Sequence, residues 1–476
     1  MSNFVYRELY CPAHFGNTHE VMSAAEIREM CREARHFGYT VYGDWFDSAD
    51  LKNPLENPRN EHLLPQELWE RKLRNFRIAQ EEGLDTNLML TSNHVYLNQL
   101  REDLLAETSG DHRMFGQLLC PSIPEAREII LQNARDLFEL LAASGVDLGN
   151  LHGFAYDYGG CSCEKCTPWI VTMAELFLEE LEIAREYFAD VTPRLIGWWV
   201  TEEEHEILAD WADENAPGVF ASCALHIQYG ETRPAGRPRL PGGCEPHAFV
   251  HIGYNTTPTV PKDVYGIWGP VVAPERLEGT ERDLSEFGCT GYVTYDEGAF
   301  DDCNRAIWAA LTSGKAETAS EVLTEYARRY FDAGDDAGAW ADWLAQWQEP
   351  LQVVLSAARE EFTRLLGRLE RPFIVRDDGR LSPELNWRLA QWECKLRLFE
   401  LDTQLREVEQ WGDDALALAG DFVAEREWMQ RKCWGIGPLR HAIHPHFQQP
   451  TWWREYLAAG GGGARLSDLS SLDEEV

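Results

Sequence analysis

Eight short, apolar, β-rich runs punctuate the chain between residue 4 and about residue 298, and their number limits its fold more than any other feature. They are "FVYRELY" from residue 4, "YTVYGDW" from 39, "DTNLMLT" from 85, "NLHGFAYD" from 150, "RLIGWWVT" from 194, "GVFASCALHI" from 218, "HAFVHIGY" from 247 and "GCTGYVTYDEG" from 288. Between them lie amphipathic stretches with apolar residues at helical spacing, such as "SAAEIREMCREARHFG" and "PEAREIILQNARDLFELLAASG". Strands that alternate with helices predict parallel βα units, because a parallel neighbour needs a crossover long enough to return over the sheet. Eight such units close into a (β/α)8 TIM barrel, so the expected fold class is α/β with a barrel over residues 1–302.

Past Asp302 the texture changes to uninterrupted helical periodicity, from "NRAIWAALTSGKAETASEVLTEYARRYF" through "PELNWRLAQWECKLRLFELDTQLREVEQW". An all-α C-terminal domain is expected over 303–459. The last stretch, 460–476, is Gly-rich and then acidic with few large apolar residues, which predicts a disordered tail.

Charge excludes one class of partner. Forty-three Lys and Arg against eighty Asp and Glu give a formal charge of −37, which repels a phosphate backbone and argues against nucleic acid. No run reaches the ~18 to 20 apolar residues of a membrane span. The start, "MSNFVYRELYCPAHFG", lacks a basic region followed by an apolar stretch, so a cytoplasmic chain without a membrane partner is expected. Association into a homo-oligomer stays open at this level.

In a TIM barrel the active site is built at the C-terminal ends of the strands. Polar residues gather where the runs stop: Asp44 and Trp45, Ser92 to His94, Asp157, Thr201 to Glu204, His226, Tyr254 and Asn255, and Asp296 with Glu297. Gly159 and Gly160 follow Asp157 and let the backbone turn away sharply. Asp296 and Glu297 are neighbours, and strand alternation lets one of them face the cavity unless the strand has already ended. Glu202 and Glu203 are reserve candidates, although an acidic triplet also suits the solvated first turn of the helix "EEEHEILADWADEN". An N-cap for Asp157 and a rim ion pair for Glu297 are the plainer alternatives.

Paired carboxylates amid aromatics suit glycosidic cleavage, where one carboxyl protonates the leaving oxygen and the other stabilises or hydrates the oxocarbenium-like centre. Trp45, Trp198, Trp199 and Trp268 fall near strand ends, where flat apolar faces stack on sugar rings. Asp44, His94, His226 and Tyr254 are the candidates for binding hydroxyls.

Of twelve cysteines, Cys161, Cys163 and Cys166 alone have ligand-like spacing, in "GGCSCEKC". Thiolates two and three apart on a tight turn converge on one tetrahedral ion. The fourth ligand is expected to be Cys120, just ahead of the helix before the fourth strand. A zinc held by four cysteines has no open position and is structural, and free buried thiols or a catalytic or redox site are the alternatives. No organic cofactor is expected.

The strings "YDYGGCSCEKCTPW", "LLCPSIPEAREIIL" and "YDEGAFDDCNRAIWAAL" resemble a group of (β/α)8 glycoside hydrolase-like proteins. That group is distantly related to the family 20 β-N-acetylhexosaminidases and the α-glucuronidases. The resemblance spans roughly residues 1 to 330 and implies a barrel, a glycan substrate and carboxylate catalysis, with Asp157 and Glu297 in the site. Family 20 enzymes use an adjacent Asp and Glu, the first holding the 2-acetamido group. Here Tyr158 follows Asp157, and the adjacent pair is Asp296 and Glu297 on the eighth strand. The expected activity is removal of terminal N-acetylhexosamine, with β-N-acetylgalactosaminide as the best single substrate. The alternatives are an α-glucuronidase-like hydrolase and a carbohydrate-binding barrel without catalysis.

Overall fold

The computed structural model describes residues 4–13, 18–46, 63–107, 117–153, 159–228, 231–253, 269–296, 298–348, 353–369, 380–435 and 450–461. The expected tail lies outside them from residue 462 on. Eight parallel strands close into a barrel in chain order: β1 (Tyr6–Tyr10), β2 (Val41–Trp45), β3 (Asp85–Met89), β4 (Asn150–Gly153), β5 (Thr192–Gly197), β6 (Ser222–His226), β7 (Glu245–His251) and β8 (Gly291–Tyr295). β8 returns to β1 with Tyr6 opposite Gly291 and Tyr10 opposite Tyr295, so no sheet edge is left to pair with another chain. Each expected run holds one strand.

Helices α1 (Ala24–Phe37), α2 (Leu63–Glu81), α3 (Pro124–Ala143), α4 (Trp169–Tyr187) and α5 (Glu202–Asn215) follow β1 to β5 in turn, and α6 (Pro274–Phe287) follows β7. Their local signals are ordinary. Ser23 caps α1 in a box with Glu26, while Gly288, in the left-handed region, ends α6. After β8, α7 (Asp302–Thr312) packs on α1 and α6, so by packing the ring runs on to Thr312.

One connection departs from the βα repeat. Between β6 and β7 no helix occurs among the described residues, and the stretch "RPAGRPRLPGG" explains why, since its prolines and glycines cannot sustain helical hydrogen bonding. The strap is held by charge instead. Arg239 bonds Asp210 and Asp213 of α5, and Arg237 lies over the Phe287 ring at 4.7 Å and donates to the Glu286 carbonyl.

Beyond α7 the described residues form helices and no strand: α8 (Ala319–Phe331), α9 (Ala337–Ala345), α10 (Leu355–Leu366), α11 (Pro383–Arg406), α12 (Asp413–Lys432) and α13 (Trp453–Ala458). Trp340, Trp343, Trp347 and Trp392 are buried here against Phe331 and Phe362, so these tryptophans are core. Arg388 of α11 reaches across to Asp302 and Glu33, tying these helices to the barrel. No described helix is long and apolar enough to cross a membrane.

Candidate functional site

Alternation along the strands decides what the barrel's interior sees. On β1 the inward set is Tyr6, Glu8 and Tyr10; on β7 it is His247, Phe249 and His251; on β8 it ends at Tyr295. The lower interior is polar and sealed. Glu8 accepts from Tyr6 Oη at 2.7 Å and Asn87 Nδ2 at 2.8 Å, His152 Nδ1 meets Asn87 Oδ1 at 2.9 Å, and the Arg194 guanidinium covers the Tyr6 ring at 4.0 Å. Burial pushes the Glu8 carboxyl up to about 7, against the pull of its two donors. That value suits an acid catalyst, but Glu8 is fully buried beneath the aromatic layer above it, so its role is structural.

The layer above is a collar of rings. Trp198 stands edge-on to His226 at 4.3 Å and within 5.1 Å of both Phe249 and His251. His251 in turn lies 5.1 Å from Tyr295, which lies 6.1 Å from Tyr10. Trp199 and His226 are half-buried and stack at 4.6 Å with a 32° tilt, so this side of the collar is the one that meets solvent. Trp199 has φ of 57°, a left-handed conformation that a bulky residue adopts only when its surroundings impose it. Such strain concentrates where a side chain is aimed at a ligand. Burial, followed by His226 and Arg276, holds His251 well below the ordinary histidine range, so it is neutral at pH 7.

Asp157, Glu297, Tyr254 and Trp268 lie outside the described residues. Among the rest, Asp296 has its contacts with neighbouring side chains and backbone. Tyr295 takes the inward turn, and Asp296 points outward into a buried cage, where Arg305 donates at 2.8 and 3.1 Å, the Gly298 amide at 3.0 Å, and His19 Nε2 meets Oδ1 at 2.7 Å. Burial raises its pKa, but Arg305 and His19 outweigh that and hold it below the usual carboxylate range. Oδ1 thus has three partners and Oδ2 one.

Asp44 is likewise turned away from the lumen, because Trp45 takes the inward position on β2. Asp44 Oδ1 accepts from Lys72 Nζ of α2 at 2.9 Å and from the Trp45 amide at 2.7 Å. Trp45 itself is fully buried in the lumen core, which leaves no face for a ring to stack on. Glu202 and Glu203 are exposed on the first turn of α5, which Thr201 caps in a box with Glu204. His94, in the connection after β3, is buried and paired in a bridge opposite Leu118, and burial lowers its pKa to about 4.

Several residues of this region carry no motif. His251 follows from period-two counting up β7 from His247. Asn93 is the hinge pin of the β3 side: its Nδ2 donates to the carbonyls of Leu119 and Gly160, both at 2.9 Å, and its Oδ1 accepts from the Gly160 amide at 3.1 Å. Beside it, Cys120, Cys161, Cys163 and Cys166 bring their sulfurs together, all four within 4.8 Å of one another.

No family model matches the chain, and no curated protein matches it. Solved structures resemble it remotely. A mutant O-GlcNAc hydrolase from Thermobaculum terrenum is 9% identical, with 99% of this chain and 98% of that one covered at a TM-score of 0.46. A protein designated CpGH84B is 11% identical, with 93% and 77% covered at 0.46. The pneumococcal virulence factor StrH is 10% identical, with 72% and 98% covered at 0.40. At identities and scores this low, the reaction has to be argued from the chain's own residues.

Proposed function

We propose that the chain is a glycoside hydrolase acting on terminal N-acetylhexosamine, with β-N-acetylgalactosaminide as the first substrate to test. The observation that carries this reading is the aromatic collar at the C-terminal mouth, with Trp199 held in a strained backbone so that its ring stands beside His226. A pyranose presents an apolar face to such a ring and hydroxyls to a histidine. Asp157 and Glu297 are the proposed acid and base. With Asp296 committed to Arg305, Glu297 is the carboxylate of that pair left for catalysis.

The sequence resemblance supports the same class. An α-glucuronidase-like activity ranks second, because a uronate wants a cation and Arg276, the cation beside His251, donates to the carbonyls of His251 and Ile252. A panel of p-nitrophenyl glycosides separates the readings. Release from the N-acetylhexosaminides supports the proposal, release from the glucuronide alone supports the second, and no release from any substrate leaves a binding barrel.

Two variants test the collar against the acidic triplet. Trp199→Ala is expected to raise KM by roughly 3- to 10-fold with kcat little changed, the scale of one lost ring contact. Glu202→Gln and Glu203→Gln are expected to keep kcat/KM within about twofold, as surface substitutions do. A dead Glu202 or Glu203 variant with normal folding would move the chemistry to β5.

A further inference from the structure

We propose that Cys120, Cys161, Cys163 and Cys166 form a closed four-thiolate centre for zinc, which staples the excursion between β3 and α3 to the loop that follows β4. The sulfur geometry is the first ground. Cys120 Sγ lies 3.6 Å from Cys161, 3.8 Å from Cys163 and 3.7 Å from Cys166. A tetrahedron with Zn–S bonds of roughly 2.3 Å has sulfur edges of about 3.8 Å, so one sulfur is correctly spaced from all three others around a common centre. A disulfide joins two sulfurs and leaves the others no reason to converge. Free thiols in a core pack against hydrocarbon, whereas these four pack against each other.

The surroundings match a structural centre, not a catalytic one. Cys120, Cys161 and Cys166 are buried and Cys163 is half-buried. With four thiolates supplied, no coordination position is left for water or substrate. The Glu107 amide donates to Cys161 Sγ at 3.4 Å, a bond of the kind that orients a thiolate and spreads its charge.

What the centre fastens is visible in the bonds around it. Ser162 donates through its amide and its hydroxyl to the Glu107 carbonyl, both at 2.9 Å, and the Cys120 amide donates to the Leu104 carbonyl at 2.8 Å. Asn93 closes the same seam from the β3 end through Leu119 and Gly160. The two connections are thus joined by these hydrogen bonds and by four sulfurs. A metal bound only by the folded arrangement adds its binding free energy to that arrangement.

The readouts are metal content and spectrum, so the inference stands or falls apart from the hydrolase reading. The full-length protein, purified without chelator, is expected to hold about one zinc per chain. Exchange into cobalt(II) is expected to give the near-ultraviolet thiolate-to-metal charge-transfer band and the intense visible bands of a tetrahedral tetrathiolate site. Cys163→Ser should weaken metal binding by more than the roughly 10- to 100-fold that an outer partner costs, and lower the unfolding temperature. Cys244→Ser, a half-buried cysteine outside the cluster, should change neither. Should Cys163→Ser fail to fold, the cobalt spectrum of the parent protein still decides. Metal-free parent protein of unchanged stability, a cobalt spectrum without thiolate bands, or a disulfide mapped within the four cysteines overturns the proposal.

Discussion

Arg305→Met is expected to destabilise the fold by about 3 to 5 kcal/mol, the usual cost of removing one partner from a buried ionic network. Arg305 sits between two acids, donating to Asp296 at 2.8 Å and to Asp302 at 3.2 Å, with its own Nη2 on the Gly298 carbonyl at 2.7 Å. Asp302 is held in turn by Arg388 and by Tyr326 Oη, each at 2.6 Å, and Arg388 goes on to Glu33. Removing the guanidinium leaves the buried Asp296 without its arginine, with His19 and the Gly298 amide beside it, and takes one of several partners from Asp302, which keeps Arg388 and Tyr326. Met fills most of the volume, so the loss reports the charge and not a cavity. Urea unfolding of the two proteins measures it, and a difference under about 0.5 kcal/mol, the range of an exposed surface change, would refute the network's role.

The same network sets a pH arm. Asp296 and Asp302 are both held below the ordinary carboxylate range, each by its neighbouring arginines acting against burial. A depressed folded pKa gives stability that is present above the unfolded value and lost as the pH falls through the folded one. The stability contributed by these two acids is therefore lost as the pH falls through their folded values, and Arg305→Met should move that loss to higher pH.

The difference between what was legible in the sequence and what was not follows the range of the interaction involved. Short β-rich runs and helical spacing are local, and they located the eight strands and several of the helices between them. The lack of a helix between β6 and β7 among the described residues has its signal in the prolines of "RPAGRPRLPGG", but a strand-counting argument passes over what lies between strands. Strand ends were the weaker guide. Asp44 and Trp45 stand next to each other, and only the phase of alternation decides which enters the lumen; the structure gives that place to Trp45 and the ion pair with Lys72 to Asp44.

Asp296 shows the limit most clearly. Its partner Arg305 is nine residues on and its partner His19 is 277 residues away, and neither separation leaves a pattern in the chain. The cysteines fall between these cases. The C-x-C-x-x-C spacing is local, whereas Cys120 is 41 residues from Cys161 and could be matched to it only by placing both on adjoining connections of a barrel. Asn93, which pins those connections, carried no such hint, because a single asparagine after a strand has many possible uses.

Asp157→Asn and Glu297→Gln are each expected to lower kcat by on the order of 10² or more while leaving the fold intact, the range that general acid–base contributions reach. The two acids follow β4 and β8, which stand opposite each other in a ring of eight. Acids that follow strands on opposite sides of a barrel are expected to suit the wider gap of an inverting pair, about 6.5 to 9.5 Å, better than the roughly 5 to 5.5 Å of a retaining one. The wider gap holds the attacking water, so a β-linked substrate should first release the α-anomer. The assisted alternative needs two consecutive acids at the sugar, one for the 2-acetamido group and one for the leaving oxygen. Asp296 is bonded to Arg305, His19 and the Gly298 amide, which weighs against it as the first of these. Proton NMR of the first-formed product decides the stereochemistry, and a β-anomer would refute inversion. Near-normal rates in both acid variants would remove these residues from the chemistry altogether.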